Sequence, residues 1–291
     1  NSHTLTYGFY ACSTKGFSTK VNSGIDVRTA MFRDKNNNIA IAFEDFMDDQ
    51  NFTDVVFSLK ANPEITNVPP VDEDLNTTIE KTGVYAFEDE WPKAGDYDMN
   101  DVIVEYERKV YFDKKNIVTK IVDEFTPVHD GATYVNAFAY QIDAAQIGDK
   151  ITLPEGAILE KETSSIIVMS NAKQNIGNKY VVTREFNGSF LKNQLLSYNP
   201  YIIVKYSQGE QNRTEVHLPK HKATAYANQS LIGSNDDAYY IDRKGAYPFA
   251  IDIPMLGFTP VTERNRIDSQ YPGFATWAKS MGNDCKDWYK K

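Results

Sequence analysis

Apolar residues along this chain recur mostly at every second position. Ile39, Ile41 and Phe43 alternate with Ala40, Ala42 and Glu44. After a loop, Val55, Phe57 and Leu59 share one face, against Asp54, Val56, Ser58 and Lys60 on the other. Val102, Val104 and Tyr106 repeat that phase, and the alternation runs on toward Val110 and Phe112. Successive side chains of a strand point to opposite faces, so the pattern predicts half-buried strands. Gly131 opens another such segment through Ile142. Ile166-Ile167-Val168-Met169, Tyr180-Val181-Val182-Thr183, the stretch from Tyr201 to Tyr206, and Glu215-Val216-His217-Leu218 read as further strands. Asp34-Lys35-Asn36-Asn37-Asn38 and Lys115-Asn116 read as turns. Helical spacing is confined to the end. Thr262 is placed to cap a helix containing Ile267 and Tyr271, Pro272 interrupts it, and Phe274, Trp277 and Ala278 follow. The expected fold is all-β, built of jelly-roll-like β-sandwich modules with one or two short C-terminal helices. The 18 Tyr and 16 Phe suit such half-buried pleated surfaces.

Two of the predicted hairpins carry nearly the same acidic string. The first reads Ala42-Phe43-Glu44-Asp45, then Asp49-Gln50-Asn51-Phe52-Thr53-Asp54, then Val55-Val56-Phe57. The second reads Ala86-Phe87-Glu88-Asp89, then Asp96-Tyr97-Asp98-Met99-Asn100-Asp101, then Val102-Ile103-Val104. The copies agree in strand phase as well as motif, and a slip of one residue would reverse every side chain. Six carboxylates and one basic residue, Lys93, fall in 88–101. Like charges packed this closely repel unless a cation sits among them. Oxygen donors at alternate positions suit a hard cation, above all Ca²⁺. The candidate ligands are Glu88, Asp89, Asp96, Asp98, Asn100 and Asp101 in the second copy, and Glu44, Asp45, Asp49, Asn51 and Asp54 in the first. A plain acidic turn is the alternative, since Asp and Asn bond their own backbone in turns. An EF-hand fits less well. Its sixth position needs Gly and is Asp101 here, and a strand beginning at Val102 would carry Glu107 roughly 20 Å from Asp101.

The run from Val84 to Val104, with Phe87-Glu88-Asp89, Trp91-Pro92 and Asp96-Tyr97-Asp98-Met99-Asn100-Asp101, resembles the opening of the LruC-type domain. That family comprises secreted or surface bacterial proteins of largely unknown function. The resemblance continues through Gly131-Ala132, Asn136-Ala137-Phe138, Glu215-Val216-His217-Leu218-Pro219, Tyr247-Pro248-Phe249-Ala250-Ile251, Ile253-Pro254 and Asp287-Trp288-Tyr289. It spans 80–291. Residues 1–65 are similar to a related short module with the same Phe-Glu-Asp and Asn-Asp signature. There Asn51 and Thr53 replace the usual Asp and Asn, and the loop is three residues shorter than in the second copy. The resemblance implies a secreted or cell-surface setting and calcium binding. It implies no enzymatic activity.

Between the two copies, 66–79 reads as a linker, with Pro69-Pro70 and a solvated Asp72-Glu73-Asp74. The expected organisation is therefore an N-terminal β module at 1–65 and a β-sandwich domain at 80–291. At 291 residues the chain is long enough for two domains. A formal charge of −9 argues against nucleic acid and anionic membrane surfaces as partners. No run approaches the length of a membrane span. The chain starts without Met and without the charged and apolar regions of a signal, as after signal removal or trimming. Cys12 and Cys285 fit either one long-range disulfide or two free thiols.

Catalytic constellations are sparse. Glu88 with Asp89, or Asp96 with Asp101, could form a glycosidase pair, but a metal cluster accounts for all the carboxylates at once. His217 and His221 are separated by Pro219 in a non-helical segment, which disfavours a zinc pair and favours a hydrogen-bonded histidine. Asn235-Asp236-Asp237 reads as a turn, with a second oxygen-ligand site as the alternative. No G-x-S-x-G elbow, P-loop or dinucleotide fingerprint is present. Trp91 and Tyr97 would suit sugar stacking if exposed and packing if not. The sequence therefore predicts a secreted or outer-surface, non-catalytic, calcium-binding protein with an adhesive or structural role. Its expected ligand is a cell-surface glycan or protein, and its native N-terminus is a candidate for lipid anchoring. A carbohydrate-binding module for glycan capture is the rival reading.

Overall fold

The structure, a computed structural model, describes residues 29–33, 39–43, 55–59, 77–113, 115–188, 190–233, 240–242 and 247–290. The chain divides into two compact units. One comprises Asn1–Thr77, Phe112–Ile117 and Phe190–Gln194, and the other Thr78–Tyr111, Val118–Ser189 and Leu195–Lys291. In the first, β1 (Thr29–Arg33), β2 (Ile39–Phe43) and β3 (Val55–Leu59) form an antiparallel three-stranded sheet in chain order. Phe43 pairs with Val55, so the first acidic string joins two paired strands, as the alternation predicts. Glu44, Asp45, Asp49, Asn51 and Asp54 themselves lie outside the described residues.

The second unit is a β-sandwich. Its six-stranded sheet has the order β14 (Ala250–Ile253), β4 (Thr77–Phe87), β5 (Val102–Phe112), β6 (Val118–His129), β11 (Tyr180–Glu185) and β8 (Lys150–Thr152). Its five-stranded sheet has the order β13 (Thr214–His217), β12 (Asn199–Val204), β7 (Ala137–Gln141), β10 (Ser165–Met169) and β9 (Ile158–Glu160). Aromatic side chains from the two inner faces meet in the core. Phe125 of β6 lies 5.2 Å from Phe138 and 5.1 Å from Tyr140 of β7, ring centre to ring centre. Tyr85 and Phe87 of β4 each lie 6.2 Å from Phe138. Rings at these spacings gain quadrupole attraction beyond the area they bury.

Two short helices, α1 (Ile267–Gln270) and α2 (Phe274–Lys279), follow the last strand. The first begins after Arg266, not at a Thr262 cap. Thr262 instead accepts the Asn265 N–H in a turn, and Arg264 has φ of 65°. A left-handed residue cannot belong to a right-handed helix, so helical structure starts only beyond it.

The longest strand, β6, turns a charge inward. Asp123 is buried at the core-facing position between Ile121 and Phe125. It accepts hydrogen bonds from Arg108 Nε at 2.8 Å, Tyr198 Oη at 2.8 Å and Arg184 at 3.3 Å. Arg184 is fully buried, and the Arg108 guanidinium lies over the Tyr198 ring at 3.0 Å. Such a charge is tolerable only while its partners remain, because an unpaired buried ion loses its hydration without compensation. Asp123→Leu is therefore expected to destabilise the sandwich by about 3–5 kcal/mol in chemical denaturation, leaving two guanidiniums without their carboxylate. A loss below about 1 kcal/mol, the range of exposed pairs, would show that the network contributes little.

Candidate metal centre

The second acidic string forms the loop between the sheet neighbours β4 and β5. Glu88, directly after β4, is fully buried, and its N–H donates to the Phe249 carbonyl at 2.9 Å. Its side chain turns back across the loop. Oε2 accepts the Tyr97 N–H at 3.2 Å and Oε1 accepts the Met99 N–H at 2.5 Å. Tyr97 and Met99 both have φ of 56°. These left-handed residues, which cost roughly 1–2 kcal/mol each without glycine, let alternate N–H groups converge on one carboxylate. Gly95 is required for closeness: a Cβ there would lie 2.6 Å from Glu88 Oε2.

The far side of the loop is tied to the segment before α1. Buried Asp98 accepts the Asn100 N–H at 3.3 Å and the Arg264 N–H at 2.9 Å. Asn100 Nδ2 donates to the Val261 carbonyl at 3.0 Å, and the Ile267 N–H donates to the Tyr97 carbonyl at 2.8 Å. Asn100 Oδ1 is buried and has no hydrogen-bond partner. Gly131 packs directly on it: its N–H donates to the Asn100 carbonyl at 3.0 Å, and a Cβ at Gly131 would lie 2.6 Å from Oδ1.

Glu88, Asp96 and Asp98 each present one carboxylate oxygen within 4.8 Å of the others. Glu88 and Asp98 are buried, while Asp96 is exposed and opens the group to solvent. Among the described residues this is the one such grouping of acidic, His or Cys side chains. Asp89 and Asp101 make a separate contact, in which Asp101 Oδ2 accepts the Asp89 N–H at 2.7 Å and Asp89 Oδ2 accepts Asn136 Nδ2 at 2.7 Å. The sequence reading missed Asp130, whose buried carboxylate lies 3.6 Å from Lys173 Nζ. Only its place beside Gly131 could have drawn notice.

Burial dominates the titration of these groups. It pushes Glu88 well above the usual carboxylate range, and the charges of Asp101, Asp98 and Asp96 act in the same sense against the Met99 N–H. Burial raises Asp98 to about 6 and Asp101 to about 8, the latter helped by the Asp89 charge.

The other candidates resolve into structural roles. His217 is buried between Asn199 Oδ1 at 2.7 Å on Nδ1 and Glu215 Oε2 at 3.0 Å on Nε2, and it stacks on Tyr201. It is thus the hydrogen-bonded histidine of the favoured reading. Trp91 and Tyr97 are 4 % and 7 % exposed, too buried to form a sugar platform. Trp91 packs 4.7 Å from Tyr240, and Tyr97 stands edge-on to Tyr247 at 5.5 Å. Cys285 is an exposed free thiol, whereas Cys12 and Asn235-Asp236-Asp237 lie outside the described residues.

A family model described as a domain of unknown function, DUF4842, matches residues 116–289, more than half of the chain. The chain belongs to the DUF4842 family. The DUF4842 segment contains Asp130, Gly131, Asn136 and the stretch from Val261 to Ile267 that closes over the loop, while 88–101 precedes it. The fold is similar to that in the crystal structure of a Bacteroides ovatus protein named as a candidate lipoprotein. That similarity has a TM-score of 0.58 and 17% identity, over 90% of this chain and 84% of the other. No curated protein matches. Among the described residues no helix is long and apolar enough to cross a membrane.

The raised carboxyls fix the sign of a pH effect. Their native pKa values exceed the unfolded ones, so the native state holds more protons between about pH 4 and pH 8, and stability falls as pH rises through that window. In chelator, the melting temperature is expected to fall from about pH 5 to pH 8, less steeply in Asp101→Asn. The same slope in both proteins would contradict a burial-raised Asp101.

Proposed function

We propose that the chain is a non-catalytic surface protein of LruC type whose second acidic loop holds a structural Ca²⁺. The observation that carries this reading is the convergence of oxygens from Glu88, Asp96 and Asp98 within 4.8 Å of one another. Two oxygens on opposite sides of a Ca²⁺, each at about 2.4 Å, are separated by about 4.8 Å. The buried, unpartnered Asn100 Oδ1 adds a neutral oxygen donor of the kind Ca²⁺ accepts. When bound, the ion would neutralise the carboxylates and lock the loop that already bonds to Val261, Arg264 and Ile267. Asp89 and Asp101 would support it from their own contact. The first acidic string, with fewer charged donors, would bind more weakly.

Several features support a role without catalysis. Both Glu88 oxygens already accept backbone N–H groups, and Glu88 and Asp98 are 0 % and 1 % exposed. A general acid or nucleophile must reach its substrate, and these carboxyls face the protein's own backbone. The secreted or outer-surface setting, with a native lipid anchor, follows the LruC resemblance and the naming of the Bacteroides ovatus relative in fold. In that setting the sandwich would present an adhesive or structural surface to a glycan or protein ligand. The buried Trp91 and Tyr97 weaken the rival reading of a carbohydrate-binding module that stacks sugars on this loop.

Calcium at a hundred times its dissociation constant should stabilise the protein by about 2.7 kcal/mol, a shift of several degrees in calorimetric melting. Asp98→Asn should abolish both the shift and the heat of titration. Melting curves that coincide in calcium and chelator, with no titration heat, would sink the proposal. Turnover of a polysaccharide that is lost in Glu88→Gln while the fold is kept would replace it with an enzyme.

A further inference from the structure

A cavity of 410 Å³ opens at the edge of the sandwich, away from the acidic loop's carboxylates. It is bounded by β14, the last strand of its sheet, by the turn after β13, which is the last strand of the other, and by the end of α2. Its volume falls within the range of small-molecule sites, roughly 300–1,000 Å³. We propose that it binds a small amphipathic carboxylate, with the apolar body against Leu218, Ile251 and Trp277 and the carboxylate at Lys220 and Lys279. The inference is independent of calcium binding.

Three observations carry it. The first is the lining, which is mostly apolar and includes the half-buried face of Trp277. Such a wall favours a hydrocarbon or aromatic body over a sugar or a bare phosphate, which would leave polar groups unpaired. The second is charge. Lys220 and Lys279 are exposed at the rim and have no ion pair among the described residues. The acid in the lining, Asp252, is already engaged by Lys81 at 3.0 Å and the Tyr106 hydroxyl at 2.7 Å. His221 adds no charge near neutrality, because burial and the nearby His217 hold its pKa down. The rim is therefore cationic on a chain of net charge −9, and the complementary ligand is an anion. The third is backbone. Lys220 and Met281 hold φ of 70° and 54° at the cavity, where glycine would be relaxed. Unfavourable backbone of this kind tends to persist where the side chain is needed.

Decanoate is the probe and decanol its neutral counterpart. With intact protein, decanoate should bind saturably by isothermal titration and change the tryptophan emission. Trp277 reports on the site, since it lines the cavity while Trp91 and Trp288 are buried outside the lining, Trp288 lying behind Trp277 at 5.5 Å ring to ring. Decanol should bind at least about tenfold more weakly, as should decanoate to Lys220→Ala/Lys279→Ala, from the loss of two rim ion pairs. Both lysines are exposed, so the double variant should melt as the parent does. In Trp277→Phe the emission change should vanish. Equal binding of decanol, an unaffected double variant, an emission change that survives in Trp277→Phe, or no saturation below millimolar decanoate would each overturn the proposal.

Discussion

The buried carboxylate of Glu88 holds the acidic loop in place. It leaves β4 inside the core and accepts two N–H groups from its own chain, nine and eleven residues on. Each of these hydrogen bonds contributes about 0.5–1.5 kcal/mol with Glu88 neutral and about 1.5–3 kcal/mol with it charged, against roughly 1–2 kcal/mol for each left-handed residue, Tyr97 and Met99, that makes them possible. With that arc fixed, Asp98 and Asn100 meet the segment from Val261 to Arg264, and Gly131 fits beneath Asn100. Each of these contacts presupposes the shape that Glu88 imposes.

That dependence explains what could be read in advance. Alternation located β5, and unbroken apolar runs located β10 and β12, which are buried on both faces, because burial leaves a direct imprint on the letters. Neither signal singled out β6. There Asp123 and Pro127 stand at buried, core-facing positions, and the charge is acceptable only because Arg108 and Arg184 arrive from other strands. The start of α1 was misplaced for a similar reason. Nothing in the letters Thr262-Glu263-Arg264 announces a left-handed arginine.

The acidic string was legible as a group but not as a geometry. Spacing marked Glu88, Asp96, Asp98, Asn100 and Asp101 as neighbours in a loop. Which oxygens converge depends on φ at two residues, Tyr97 and Met99, that carry no glycine signal. The Asp89 side chain is instead held by Asn136, which the sequence places 47 residues away. Exposure of Trp91 and Tyr97 was equally undecidable, because the rings that cover them, Tyr240 and Tyr247, are distant in sequence.

The molecule's own treatment of buried acids gives the last step. Asp123 is met by two arginines, and Glu215 by Arg213 at 2.7 Å together with His217 and the Thr224 hydroxyl. In both places the fold supplies a cation from another strand or from just outside the strand's end. The charges acting most strongly on Glu88 are instead those of Asp101, Asp98 and Asp96, all of the same sign, and on Asp98 those of Asp96 and Glu263. Backbone N–H groups compensate part of this, but they add no net positive charge. A fold that brings arginines to Asp123 and Glu215, and here brings oxygens of Glu88, Asp96 and Asp98 within 4.8 Å of one another, has left the positive charge to come from solution or the carboxyls to stay protonated. The two outcomes differ in what calcium does to stability at neutral pH, where protonation alone predicts no response.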